Sequence, residues 1–88
     1  MWILELAFDP PEHEERLARR PAHRDSLRAL HAEGVVVQAG PLADGSGAVI
    51  VWDLPDEASV RDHMARDQYY EAPSVTVASL RGWEPLPL

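Results

Sequence analysis

Hydrophobic and polar positions change period along this chain, and each change marks an element. Met1 to Phe8 sets Trp2, Leu4, Leu6 and Phe8 against Ile3, Glu5 and Ala7, the period-two pattern of a strand. It stops at Asp9-Pro10-Pro11, where proline removes backbone donors and forces a turn. Residues 12 to 20 are charged, with Leu17 the one large apolar side chain among them, and predict a solvated segment holding at most one helical turn. A helix is expected from about Pro21 to Glu33. Proline suits the first helical position because the N–H it lacks would be unpaired there, and Gly34 stands where a left-handed cap ends a helix. Val35 to Gly40 reads as the second strand, closed by Pro41. Asp44-Gly45-Ser46-Gly47 is turn chemistry and Gly47 to Trp52 is strongly β-branched, so these two strands form a hairpin. Asp56 is the expected N-cap of a second helix, Glu57 to Arg66, with Val60, Met64 and Ala65 toward the core. The last strand runs from about Ser74 to Trp83, and the tail Pro85-Leu86-Pro87-Leu88 cannot continue it. No repeat or linker divides residues 1–88, which read as a single domain.

The order β-α-β-β-α-β is that of an α+β ferredoxin-like sandwich, a four-stranded antiparallel sheet with both helices on one face. Such a sheet is normally polar on its open face. Here Val49 and Val51 accompany Ala48, Ile50 and Trp52, and Ile3 accompanies Leu4 and Leu6, so two strands are apolar on both sides. A chain of 88 residues buries only about 60–65% of the surface its unfolded form exposes. Two helices cover one face. A second copy of the same sheet is the simplest cover for the other, and a homodimer is expected.

Charge and cysteine usage narrow the classes of partner. The 8 basic and 15 acidic residues give a net charge of −7, with no basic stripe to neutralise phosphates or anionic lipid, so neither nucleic acid nor a membrane surface is an expected partner. The apolar amino terminus is too short for a membrane span and lacks a signal peptide's basic start and cleavage site. No cysteine is present, which removes disulfides and thiolate zinc sites and fits a reducing cytoplasm. His63 and Asp67 are four apart, a spacing two metal ligands can use, but two ligands do not make a site. No metal or other cofactor is expected.

His23 carries the candidate chemistry. At about 100° per residue, Leu27 and Leu30 lie within about 40° of it while Arg24, Asp25 and Arg28 point away, so an ionisable ring stands in the apolar stripe of the first helix. Placed in the first turn, it would feel both partial desolvation and the positive end of the helix dipole, which oppose charging, and a carboxylate would be needed to make it a useful base near neutral pH. The plainer alternative is a core histidine bonded to a backbone carbonyl. His31 reads as a surface residue near the helix carboxy terminus and His13 as solvated. Tyr69 and Tyr70 are placed to line a cleft mouth or simply to pack their rings. No phosphate loop, nucleophile elbow or Ser/His/Asp spacing occurs.

Arg20-Pro21-Ala22-His23, then Leu27, Leu30 and Gly34, then Ala39-Gly40-Pro41-Leu42, a glycine-bearing turn, and Asp67 followed by an aromatic together resemble the YciI, or YCII-related, family over nearly the whole chain. The resemblance implies a dimeric α+β barrel of ferredoxin-like subunits in which a histidine and an aspartate, here His23 and Asp67, pair in a cleft treated as an active site. Relatives usually carry proline then phenylalanine after that aspartate, where this chain has Gln68 and Tyr69. A tryptophan near the end of the last strand, here Trp83, also fits. Asp67 at the end of the second helix can reach the start of the first if the two run antiparallel, and a carboxylate on one ring nitrogen leaves the other as acid or base. Arg20, Tyr69, Tyr70 and Trp83 are the expected substrate contacts. The expected function is a small cofactor-independent enzyme for elimination, isomerisation or dehydrochlorination of a small cyclic or aromatic compound. A ligand-binding accessory dimer and a cofactor-free monooxygenase are the alternatives.

Overall fold

A computed structural model describes all of residues 1–88. The elements run β1 (Trp2–Phe8), α1 (Glu14–Ala32), β2 (Val36–Pro41), β3 (Gly47–Trp52), α2 (Glu57–Ala65), a 3-10 turn (Gln68–Glu71) and β4 (Val75–Gly82). The strands form one antiparallel sheet in the order β2-β3-β1-β4, the ferredoxin-like α+β arrangement. Alternation in β1 and β3 sets the two faces. Leu4 pairs with Ile50 and Trp2 with Trp52, and Leu4, Leu6, Phe8, Ile50 and Trp52 form the core with Val36, Val60, Met64 and Tyr69. Ile3 opposite Val51 and Glu5 opposite Val49 lie on the open face, where all four are half-buried.

Helix α1 differs from expectation in a way that moves the site. It starts at Glu14 and carries Pro21 inside it, so residues 14 to 20 are helical rather than solvated loop. His13, expected to be free in solvent, is its N-cap, accepting at Nδ1 from the Glu15 backbone N–H at 3.2 Å. Glu14 and Glu15 in the first turn complement the dipole. A proline inside a helix costs about 3 kcal/mol, and the turns before Pro21 are tied to the rest of the protein through Arg16. Arg16 lies a near-integral number of turns from His23, about 20° off the same line, and is only 6% exposed. Its guanidinium sits 4.0 Å over the Phe8 ring and donates to the Tyr69 hydroxyl at 3.0 Å and to the Pro11 carbonyl. A charged residue thus does the burying that an apolar count assigns to leucine. His23 is consequently near the middle of α1, beyond the reach of the terminal dipole.

The other elements keep closely to the pattern. Gly34 takes φ +79° after the last turn of α1, and Gly45 takes φ +76° in the β2–β3 turn; Ser46 donates there to the Asp44 carboxylate through its backbone N–H at 2.9 Å and its hydroxyl at 2.6 Å. Asp56 caps α2 by accepting from Ser59 N–H at 2.8 Å. Val60 and Met64 enter the core, whereas Ala65, expected beside them, is exposed because α2 ends there. No helix is long and apolar enough to cross a membrane.

Candidate functional site

The site is assembled where α1 meets the 3-10 turn that comes after α2. Asp67 is not part of α2. It is the N-cap of the 3-10 turn, with extended backbone, and its Oδ1 accepts the Tyr69 backbone N–H at 2.9 Å. Capping an amino-terminal turn is where a carboxylate is stable, whereas at the carboxy-terminal end of α2 it would meet the negative end of the dipole. That cap aims Oδ2 at His23, and Nδ1 stands 2.6 Å from it. Both groups are largely withdrawn from water, with side chains 7% and 15% exposed.

Burial alone pushes the Asp67 carboxyl up, but the hydrogen bond from His23, the Tyr69 N–H and the attraction of the imidazole together hold it below its usual range. With Asp67 ionised, its contact at Nδ1 requires the ring proton on Nδ1. Nε2 has no protein partner and is the atom the imidazole offers to a ligand.

Tyr69 binds the assembly together. Its ring stacks on His23 at 3.9 Å and 6°, and Arg16 holds its hydroxyl from the far side. That hydroxyl accepts from Arg16, so its own hydrogen is unclaimed by the protein. Tyr70 meets the imidazole edge-on at 5.3 Å. Burial, then the charges of Asp67 and Tyr69, drives the Tyr70 hydroxyl far above the ordinary phenol range, so it stays neutral, and its oxygen is buried without a partner.

A cleft of about 180 Å³ lies over these groups, lined by Arg16, Arg20, His23, Arg24 and Tyr69 against apolar wall from Phe8, Leu27, Ala48 and Ile50. The Ala39-Gly40-Pro41 corner of β2 closes one side. Asp67 stands behind the imidazole and does not line the cleft. A larger and more open depression of about 410 Å³ lies between α1 and β2, around Arg28 and His31; it excludes His23, and the smaller cleft is the one with chemistry in it.

Of the side chains singled out from the sequence, the structure brings His23, Asp67, Tyr69 and Tyr70 together and puts Arg20 on the cleft wall. Trp83 is 44% exposed beyond the end of β4, where its backbone N–H donates to the Met1 carbonyl, and within one chain it does not line the cleft. His31 is exposed and contacts the Val36 carbonyl through Nδ1 at 2.8 Å. His63 packs its ring against Trp52, and no group of three or more His, Asp or Glu is placed to hold a metal. Sequence reasoning misses Arg16 and Arg24. Their signal is a spacing of four, Arg16, Arg20, Arg24, which advances only about 40° per step and keeps all three on one side of a helix.

A family model, the YCII-related domain, matches residues 1–84, and the chain belongs to that family. No curated protein gives a match to it.

Proposed function

We propose that this YCII-related protein is a small acid–base enzyme in which His23 moves a proton on a bound organic substrate without help from a cofactor. The observation that carries it is the 2.6 Å contact of Nδ1 with Oδ2 of Asp67, made behind the cleft rather than in it. A carboxylate so placed fixes the tautomer and stabilises the imidazolium formed when Nε2 takes a proton, the standard requirement of a histidine base. Stacking on Tyr69 holds the ring plane, and the near-complete burial of His23 confines approach to the cleft. The reactions that need only this are elimination, including loss of chloride from a carbon next to the abstracted proton, and isomerisation by moving a double bond.

The working unit we propose is a homodimer that packs its open sheet faces together, since Ile3, Val49 and Val51 present apolar side chains there that one chain leaves only half-buried.

Proton transfer can be tested before the product is known. Small cyclic ketones, lactones and unsaturated acids are incubated with the protein in deuterium oxide, and carbon-bound hydrogen exchange is followed by NMR. The expected result is exchange with at least one compound, lost in His23→Asn while that variant keeps its fold. Equal exchange in His23→Asn would remove the imidazole from the mechanism. Binding without exchange for every compound would favour a ligand-binding accessory dimer instead.

A further inference from the structure

The protein has net charge −7, yet the wall of its cleft is cationic. All 8 of its basic residues are arginine, and five of them, Arg16, Arg19, Arg20, Arg24 and Arg28, are on α1. Three are engaged. Arg16 holds Tyr69, Arg19 pairs with Glu15 and donates to the Gln68 carbonyl, and Arg28 pairs with Asp25. Arg20 and Arg24 make no ion pair and no side-chain hydrogen bond, and both line the cleft that contains His23. No aspartate or glutamate lines it, and Asp67, bonded to His23, is already committed to that ring and the Tyr69 N–H. Two unpaired guanidinium groups one helical turn apart therefore face a space that also holds His23 and Tyr69 and has apolar wall from Phe8, Leu27, Ala48 and Ile50.

We infer that the cleft takes a small organic acid, its carboxylate held by Arg20 and Arg24 while its apolar body lies against Leu27 and Ile50 within reach of His23. This assignment of a substrate class rests on the acid–base reading of the same site. The planar fork of arginine matches a carboxylate in two parallel hydrogen bonds. The volume of about 180 Å³ is below the roughly 300 Å³ where pockets for drug-sized ligands begin, which suits an acid carrying one ring. An anion on these two arginines gains attraction without an internal ion pair to displace, because neither guanidinium is paired with a carboxylate of the protein and no carboxylate lines the cleft.

Binding of benzoate and of its neutral isostere benzamide, followed by backbone amide NMR titration near pH 7, tests this without turnover. The expected result is that benzoate shifts residues of the cleft, that benzamide binds about tenfold or more weakly, and that Arg20→Gln and Arg24→Gln each weaken benzoate about tenfold. Neither arginine supports the fold through a side-chain bond, so both variants should melt like the parent. Benzamide binding as well as benzoate, benzoate affinity unchanged in the Arg20→Gln/Arg24→Gln double variant, or shifts confined to another surface would overturn the inference. So would inorganic phosphate binding more tightly than benzoate, which would mark a phosphate site. The His23→Asn variant separates the two proposals: benzoate held as tightly there, with deuterium exchange absent from both proteins, sinks the catalytic reading and leaves the acid-binding site standing. Exchange that depends on His23 with no preference for benzoate does the reverse.

Discussion

Replacing Asp67 by Asn keeps the shape of the side chain and removes its charge, so the variant isolates the electrostatic part of the contact with His23. The amide oxygen can still accept the Tyr69 N–H now bound by Oδ1 at 2.9 Å, so the 3-10 turn keeps its cap. The amide nitrogen then faces His23 Nδ1 across the 2.6 Å contact as a donor, and the ring must move its proton to Nε2. A hydrogen bond to a charged group contributes about 1.5–3 kcal/mol and a neutral one about 1 kcal/mol, so Asp67→Asn should cost about 0.5–2 kcal/mol at pH 7. Asp67→Ala, which also removes the cap and leaves Nδ1 unpaired in a buried position, should cost about 3–4 kcal/mol. Urea unfolding measures this directly. With a slope of about 1 kcal/mol per molar for a chain this small, the Asn variant should lose about 0.5–2 M in midpoint.

The pH dependence has a definite sign. The folded protein holds the Asp67 carboxyl below its unfolded value, so its contribution is fully present above the unfolded value and is lost as pH falls through the folded one. The gap between parent and Asp67→Asn should accordingly be widest near neutrality and close below about pH 4. Equal midpoints at pH 7, or a gap that persists unchanged in acid, would refute the charge-assisted contact.

Three further outcomes are expected from other parts of the chain. Gly47→Ala should destabilise by about 2 kcal/mol or more in urea unfolding, because a Cβ there would lie 2.0 Å from the Leu6 carbonyl oxygen, a backbone atom that cannot swing aside. Gly34→Ala meets nothing within 4 Å but must hold φ +79°, and a thermal melt should show a smaller loss of about 1 kcal/mol from backbone strain alone. Val51→Glu puts a charge in the centre of the open sheet face, and sedimentation velocity should show the parent as a dimer and the variant as a folded monomer; a parent that sediments as a monomer at micromolar concentration rules out the face-to-face assembly.

The sheet is legible in the sequence because burial of one face imposes a period of two, which Leu4, Leu6 and Ile50 obey without exception. The site is legible only in part. His23 announces itself as a polar residue in an apolar stripe, and the family pattern supplies Asp67. Arg16 on the same stripe stays hidden, since a guanidinium buried over Phe8 and pinned by Tyr69 has no mark in a pattern that counts only apolar side chains. The expected start of α1 is too late for that reason, and the dipole expected to act on His23 is lost with it while its burial stands, because Pro21 resembles a first helical residue when the turn before it is held by a contact remote in sequence. Asp67 reads as the end of α2, although an aspartate two residues before Tyr69 is also a capping sequence, and only the fold decides between the two.

The state of the His23 ring tests the central claim most directly. Long-range proton–nitrogen correlation spectra of the protein, whose 4 histidines give few enough signals to assign by substitution, distinguish a ring protonated at Nδ1 from one protonated at Nε2. With the imidazole neutral, the parent should carry its proton on Nδ1 and show a bare Nε2, and Asp67→Asn should reverse the two. A parent ring protonated at Nε2, or one whose tautomer is indifferent to Asp67, would mean that the carboxylate does not orient the base.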